Sequence, residues 1–200
     1  MSQRTLILAT HNPSKILEFK EILGDQWDVR TASQLQPRPE WIENGDTFEA
    51  NARIKAQAVA KSEAVSGSCI LGEDSGICID AMDGQPGIYS GRYMEQEGGK
   101  DSCLNKILDQ METVPDEKRT AHFISVLVFI DEQGQESVHQ GICRGKIASS
   151  ARGANGFAYD SLFIPDGHSN TMGEISSEEK NSLSHRKIAI NKLIRDRNLR

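Results

Sequence analysis

The sequence predicts an α/β fold with a mixed sheet, and three observations support this prediction. Short apolar runs typical of buried strands alternate with amphipathic stretches typical of helices. Two β-rich runs, residues 119–130 and 136–147, are joined by a polar segment typical of a hairpin. No repeat, low-complexity tract or long linker interrupts the pattern. We therefore expect helices to flank one sheet in a single domain over residues 1–200.

The first part of the chain predicts a strand, a helix and a second strand. Residues 5–10 form a continuous apolar run, which is typical of a strand buried on both faces. Asn12 fits the N-cap of the following helix and Pro13 fits its first position, while Gly24 is suited to end it. Residues 27–31 predict the second strand.

A polar loop with two prolines, residues 36–45, is followed by a predicted helix over residues 47–66. Asp46 and Glu49 form a capping-box-like pair at its start. Residues 68–72 and 77–80 predict two short strands that are separated by an acidic segment. Further along, residues 84–91 are rich in turn formers, and residues 101–111 predict another helix.

The last fifty residues predict a loop and helical segments. Small residues over 149–156 indicate a loop. Ser176 and Glu179 form a second capping-box pattern, and Ser184 is expected to begin the last helix.

Composition and charge exclude several classes of protein. The 23 basic and 29 acidic residues give a net charge of −6, which argues against a nucleic-acid-binding module. No apolar run approaches the ~20 residues that cross a bilayer, so no membrane association is expected. The four cysteines are widely spaced without a metal-binding pattern, and the N-terminus lacks a signal-peptide profile. We expect a cytoplasmic protein whose cysteines belong to the core.

Polar segments stand where predicted strands end, which is where α/β folds bind ligands. Residues 10–15 fit either a phosphate-binding helix N-terminus with Lys15 or an ordinary capped helix with a solvated lysine. Lys55 is either directed inwards on the same helix face as Asn51 or lies on the surface. Glu73 and Asp74 either bind Mg²⁺ or form a charged turn, and their apolar flanks favour the metal.

Two further segments are equally ambiguous when each is taken alone. Phe157, within the segment 156–160, could stack on a base or belong to the core. Lys180, His185 and Arg186 could contact phosphate or a carbonyl group, or could form a charged helical surface.

Together these segments resemble the inosine/xanthosine triphosphate pyrophosphatase family, which hydrolyses non-standard purine nucleoside triphosphates. The matching motifs follow the family's order and spacing: T-x-N-x-x-K at 10–15, E-x-G-x-T-F-x-x-N-A at 43–52, D-S-G at 74–76, P-G-I-Y-S-x-R-Y at 86–93, G-F-x-Y-D at 156–160 and S-H-R at 184–186.

The resemblance implies an elongated two-lobed fold, with a central mixed β-sheet flanked by helices and an active-site cleft between the lobes, usually as a homodimer. It implies Mg²⁺-dependent conversion of ITP, dITP or XTP to the monophosphate and pyrophosphate, which removes these nucleotides from the pool. The nearest alternative is a septum-inhibitor (Maf-type) pyrophosphatase that acts on dTTP, UTP or modified pyrimidines. A nucleotide-sensing protein without turnover is a third possibility.

The resemblance also implies roles for individual residues. Asp74 would bind Mg²⁺ and accept a proton, and Glu43 and Glu73 would also serve the metal. The implied substrate-binding residues are Thr10, His11, Asn12, Pro13, Ser14, Lys15, Lys55, Ser75, Phe157, Ala158, Tyr159, Asp160, Lys180, His185 and Arg186.

Selectivity would depend on hydrogen bonds to the base. Hypoxanthine and xanthine carry an N1–H donor and a C6 carbonyl, and adenine reverses both. We expect the Asp160 segment to accept from N1–H and His185 or Arg186 to donate towards O6. The sequence departs from the family pattern at four positions, which are Glu73 for an aspartate, Ala158 for a glycine, Ser161 for a proline and Gly91 for an alanine.

Overall fold

The computed structural model describes residues 3–199 of the protein. Its strands are β1 (Arg4–Ala9), β2 (Trp27–Thr31), β3 (Cys69–Ile79), β4 (Thr120–Ile130), β5 (Glu136–Ile147) and β6 (Phe163–Pro165). Its helices are α1 (Pro13–Leu23), α2 (Phe48–Ala60), α3 (Ser90–Gln96), α4 (Lys100–Gln110), α5 (Ser177–Leu183) and α6 (His185–Asp196).

Across residues 3–199, the strands form one six-stranded sheet in the order β2-β1-β3-β4-β5-β6. Strand β1 is parallel to β2 and to β3, with Leu6 opposite Val29 and Cys69. Strands β5 and β6 are antiparallel. The predicted α/β fold with a mixed sheet is therefore confirmed.

The chain divides into two compact units, each built from separate stretches of sequence. Unit 1 comprises the described parts of Met1–Asp74, Ser125–Gly141 and Arg186–Arg200, and unit 2 comprises Ser75–Ile124 and Ile142–His185. Strands β3, β4 and β5 each contain residues of both units.

Unit 1 is packed on both faces of its part of the sheet. Successive side chains of a strand point to opposite faces. Leu6 and Leu8 therefore pack with apolar side chains of α1 and α6, while Ile7 and Ala9 pack with those of α2. The apolar run of β1 is thus buried on both sides, as the sequence predicts.

A glycine allows α2 to approach β3 closely in unit 1. A Cβ atom on Gly72 would overlap the carbonyl oxygen of Ala52 and lie 2.8 Å from the Cβ of Ala56. Only a residue without a side chain fits between this strand and helix. Because α2 has small residues at this contact, the helix packs closely against the strand that carries Glu73 and Asp74.

Unit 2 has a separate core. Helix α4 contributes three fully or nearly fully buried side chains, which pack against β3, β4, β5 and β6. These are Cys103, Leu104 and Ile107. The guanidinium of Arg119 is buried and donates to the carbonyls of Met111, Ile147 and Ala148 at 2.6–3.0 Å, so the polar group has its partners in the interior.

Helix starts follow the predicted caps at two of three positions. The side chain of Asn12 accepts from the N–H groups of Ser14 and Lys15, and Ser176 accepts from Glu179 N–H. Helix α2, by contrast, is capped by Thr47 and not by the predicted Asp46, because the Thr47 hydroxyl accepts from the Ala50 N–H. The helix also ends at Ala60, several residues earlier than predicted.

The acidic segment at residues 73–76 is not the predicted interruption between two strands. Strand β3 runs without a break from Cys69 to Ile79. The interpretation as a charged turn is therefore wrong. Its carboxylates are found inside a strand because buried cations neutralise them, a tertiary effect that local sequence patterns do not contain.

The cysteines are free thiols, as expected for core side chains. Cys69, Cys103 and Cys143 are buried and Cys78 is half-buried. Burial raises the pKa of Cys143 to about 11, which keeps this thiol protonated at neutral pH. Within residues 3–199, every helix is too short or too polar to cross a bilayer.

Candidate active site

The predicted phosphate-binding segment lies between β1 and α1 in unit 1. Asn12 Oδ1 accepts from the N–H groups of Ser14 at 2.9 Å and Lys15 at 3.2 Å, and Thr10 Oγ1 accepts from the Asn12 N–H. Pro13 has no N–H to offer. At this helix end the N–H groups of Ser14 and Lys15 are therefore already bonded to the cap residue.

The side chain of Lys15 is not solvated. Its Nζ lies 2.8 Å from Glu73 Oε2, and the lysine side chain is only 16% exposed. Glu73 is itself buried and also accepts from Ser125 Oγ and Arg186 Nε, both at 3.1 Å. Burial alone would raise the pKa of Glu73, but the charges of Lys15 and Arg186 lower it well below its ordinary value.

Arg186 connects two carboxylates in the interior of unit 1. Its Nη1 lies 2.8 Å from Glu18 Oε2, while its Nε is bound to Glu73. All three side chains are less than 10% exposed. The interpretation of Arg186 as part of a charged helical surface is therefore wrong.

Asp74 is held by two residues of α2. Lys55 Nζ lies 2.9 Å from Asp74 Oδ1, and Asn51 Nδ2 donates to Asp74 Oδ2 at 3.4 Å. Asn51 and Lys55 are four residues apart and share a helix face. Burial raises the pKa of Asp74, and the charge of Lys55 offsets part of that rise. A carboxylate with a raised pKa is a better proton acceptor near neutral pH.

Glu43 lies beside the same lysine. Its Oε2 is 3.3 Å from Lys55 Nζ, and its side chain is 37% exposed. The loop that carries it is attached to α2, because Asn51 Oδ1 accepts from the Gly45 N–H at 2.9 Å. A Cβ atom on Gly45 would lie 2.9 Å from that same amide oxygen.

The three predicted metal ligands differ in how well they fit a magnesium ion. No three histidine, cysteine, aspartate or glutamate side chains within residues 3–199 form a group arranged to hold a metal. Both Glu73 oxygens already face cations or a hydroxyl. Asp74 and Glu43 remain suitable, since Mg²⁺ takes one or two carboxylates and completes its shell with water and phosphate oxygens.

The predicted base-binding segment lies in unit 2, between β5 and β6. Asp160 Oδ2 accepts from the Phe157 N–H at 2.7 Å and lies 2.9 Å from Lys180 Nζ. The same Nζ lies 4.7 Å from the centroid of the Phe157 ring, which is half-buried. A Cβ atom on Gly156 would overlap Asp160 Oδ2, so the glycine is required for this tight loop.

Tyr159 is bound within the core of unit 2. Its hydroxyl donates to the Ser90 carbonyl at 2.6 Å, and the ring is 2% exposed. The hydroxyl of Ser90 accepts from the Ile77 N–H, and Ile77 lies two residues after Ser75, a half-buried residue of β3. Tyr159 therefore anchors the segment at residues 156–160 to the core of unit 2.

His185 is buried beside an aromatic ring that the sequence analysis did not single out. The rings of Phe123 and His185 are stacked at 4.9 Å with an interplanar angle of 12°. Phe123 also contacts Phe163 edge to face.

Three residues of these clusters were not predicted as functional candidates. They are Glu18, Phe123 and Ser125. Asn51, by contrast, was indicated by its helical spacing from Lys55. Glu18 and Ser125 carried no such signal, because each lies in an otherwise regular helix or strand and meets Glu73 or Arg186 only through tertiary folding.

Comparisons with known proteins give a consistent result. A model of the Ham1 family matches residues 6–196. A protein from Leifsonia xyli subsp. xyli named dITP/XTP pyrophosphatase is 44% identical over 182 residues, covering 90% of this chain and 89% of its own. A protein of the same name from Bacillus subtilis is 39% identical over 188 residues, covering 94% and 93%. The structure of a HAM1 protein from Coxiella burnetii superposes with a TM-score of 0.84 at 32% identity, covering 98% and 100%.

Proposed function

Because the chain belongs to the Ham1 family, we propose that it is a dITP/XTP pyrophosphatase, which hydrolyses dITP, ITP and XTP to the monophosphate and pyrophosphate. Relatives with that name are similar over almost the whole of both chains. The structural observation that supports the proposal most is the buried Asp74 carboxylate held at 2.9 Å by Lys55, in a cluster that also contains Lys15 and Arg186.

The cations of unit 1 are suited to a triphosphate. A nucleoside triphosphate carries about four negative charges, and fixed positive groups stabilise the charge that develops during phosphoryl transfer. Lys15, Lys55 and Arg186 are held in place by carboxylates, so little of their side-chain freedom remains to be lost on binding. An ammonium group has three donors, so Lys15 can contact a phosphate while it remains bound to Glu73.

Asp74 and Glu43 are the residues that we assign to Mg²⁺. When bound, the ion would offset negative charge on the phosphate oxygens. The amide of Asn51 and the ammonium of Lys55 orient the Asp74 carboxylate, and each of its oxygens keeps a lone pair for a further contact.

We assign the proton transfer to Asp74. Water attacks the α-phosphorus, the new O–P bond forms, and the bond to the bridging oxygen of the departing pyrophosphate breaks. The proton released by the water passes to an Asp74 oxygen. The raised pKa of Asp74 favours this acceptor role, and the charge of Lys55 offsets part of that rise.

The segment at residues 156–160 is our candidate for recognising the base. Phe157 offers a half-buried aromatic face for stacking, and its loop is fixed by Asp160 and Lys180. The carboxylate of Asp160 is already bound to the Phe157 N–H and to Lys180. The N1–H of the base is therefore expected to meet the backbone of this segment. His185 is the candidate donor to O6, because it belongs to unit 2 like this segment, whereas Arg186 belongs to unit 1 with the cations assigned to the triphosphate.

A substrate panel tests the proposal. The purified protein is given ITP, dITP, XTP, GTP, ATP, dTTP and UTP with Mg²⁺, and pyrophosphate release is measured with EDTA as the control. We expect kcat/KM for ITP, dITP and XTP to exceed that for ATP by ~10⁴-fold, since mismatched buried polar groups reject an analogue strongly. Preference for dTTP or UTP would support the Maf-type alternative, and binding without turnover would support a sensor.

Two further parts of the proposal concern the protein in the cell. The free thiols agree with a reducing, cytoplasmic setting. A homodimer is proposed from the family resemblance, and light scattering on the purified protein measures it directly.

A further inference from the structure

The ring of His11 is fully engaged within unit 1 although His11 belongs to the predicted substrate-binding segment. Its Nδ1 lies 3.0 Å from Ser33 Oγ, and its Nε2 lies 3.2 Å from the Pro39 carbonyl oxygen. The ring is stacked on Trp41 at 4.3 Å with an interplanar angle of 9°. Because a carbonyl can only accept, Nε2 carries the hydrogen, and a neutral Nδ1 accepts from the Ser33 hydroxyl.

The contacts with Pro39 and Trp41 attach the segment at residues 10–15 to the loop at residues 36–46. The loop is held a second time at its other end, where Asn51 Oδ1 accepts from the Gly45 N–H. Glu43 lies between the two attachments, two residues after Trp41 and two before Gly45. Between them the loop is otherwise open to solvent, since Ile42 is 79% exposed.

We propose that His11 is a positioning residue, whose ring does not bind the substrate but fixes the loop that presents Glu43. The inference deepens the proposed function and rests on it, because Glu43 matters only if it serves the metal. Stacking on Trp41 and the hydrogen bond to the Pro39 carbonyl hold one end of the loop, so loss of either ring would free Glu43 from its place beside Lys55.

The test uses five variants: His11→Ala, Trp41→Ala, the double variant, Trp41→Phe and Ile42→Ala. Hydrogen exchange of peptides covering residues 36–46 measures the loop, and ITP hydrolysis at varied Mg²⁺ measures the site. We expect both single alanine variants to exchange faster in this loop, and to need ~tenfold more Mg²⁺ for half-maximal rate, a change that corresponds to ~1.4 kcal/mol. Trp41→Phe keeps an aromatic face and is expected to restore most of the loss.

Two comparisons separate positioning from general destabilisation. The double variant is expected to be no worse than either single, since both remove the same interaction. Ile42→Ala changes an exposed neighbour in the same loop and is expected to match the wild type in both measurements. Additive losses in the double variant, or an unchanged Mg²⁺ requirement in the singles, would overturn the inference.

Failure of the proposed function would be recognised separately. If the wild-type protein releases no pyrophosphate from ITP or any other nucleotide, the function is wrong whatever the variants do. Hydrogen exchange still decides whether His11 holds the loop in that case: faster exchange in both alanine variants supports it, and unchanged exchange overturns it.

Discussion

The ammonium of Lys55 lies 2.9 Å from Asp74 Oδ1, and both side chains are buried in unit 1. The pair is held between a strand and a helix that touch through Gly72. Burial of an unpaired charge is costly, so each partner offsets the cost of burying the other.

Asp74→Asn is expected to lower kcat for ITP by ~10²–10⁴-fold, the usual contribution of a general base, because the amide cannot accept the proton. Pyrophosphate release measures the rate, and circular dichroism confirms that the variant is folded. Asp109→Asn, an exposed change on α4, is the matched control and should be fully active. A folded Asp74→Asn variant with near-normal turnover would rule out the assigned role.

Glu73→Gln is expected to reduce the free energy of unfolding by about 3–5 kcal/mol, because Lys15 and Arg186 both lose a buried carboxylate partner. Denaturant titration measures the loss. Glu112→Gln changes an exposed side chain and should have almost no effect. Equal stability of the two variants would mean that the buried cluster contributes little.

Gly72→Ala is expected to cost about 1–3 kcal/mol of stability, since the added methyl group overlaps the backbone of α2 and forces the helix away from β3. Gly91→Ala is the opposite case: Gly91 lies in α3 with no atom within 4 Å of an added Cβ, so the change should stabilise by up to ~1 kcal/mol. Thermal unfolding of both variants checks the difference in sign, and the same sign in both would contradict it.

Ala158→Gly is expected to stabilise the protein by about 0.5–1 kcal/mol. Ala158 has φ +51, in the left-handed region, where a Cβ costs ~1–2 kcal/mol. Glycine removes this cost, but its greater freedom in the unfolded chain offsets part of the gain. Ala154→Gly in the preceding loop, where φ is not positive, should give no gain. A loss of stability in Ala158→Gly would show that the backbone there is not strained.

Glu132 gives a prediction about acid stability. The hydrogen bond from Arg4 is the main cause that lowers the pKa of Glu132 to about 2. Because the pKa of Glu132 is lower in the folded protein, its pairing with Arg4 stabilises the fold at pH values above the unfolded pKa of about 4.5. This stabilisation is lost as the pH falls from 4.5 towards 2. The pair is partly exposed, so the effect is below ~1 kcal/mol.

The variant for this test is Glu132→Gln. Its unfolding free energy should fall less steeply than that of the wild type between pH 4.5 and 2, while Glu63→Gln, with an exposed carboxylate, keeps the wild-type slope. Identical slopes for Glu132→Gln and the wild type would contradict the assignment.

Much of the fold could be predicted because its signals are local. The apolar run of β1, the Asn12 cap and the β5 boundaries at Glu136–Ile147 all agree with the structure. Helix α3 and the three-residue strand β6 were not predicted, since neither has enough periodicity to distinguish it from a loop.

The burial of one candidate residue had a local signal, but the contacts of the candidate site did not. Of the two interpretations of Lys55, inward or on the surface, the inward one is confirmed, because the residue is buried. Lys15 pairs with Glu73, and Arg186 pairs with Glu18. Neither pair could be predicted, because its two members lie far apart in sequence. The stack between His11 and Trp41 joins two segments that are far apart in sequence, and no local pattern indicates it.

Strand β3 has hydrogen-bonded neighbours on both sides, β1 and β4, and it carries Glu73 and Asp74 in its middle. The conformational entropy of ordering these two carboxylates is therefore lost once, when the sheet folds, and not again each time a ligand arrives. An acidic pair on a flexible turn would have to be frozen at every encounter, with a corresponding loss of affinity.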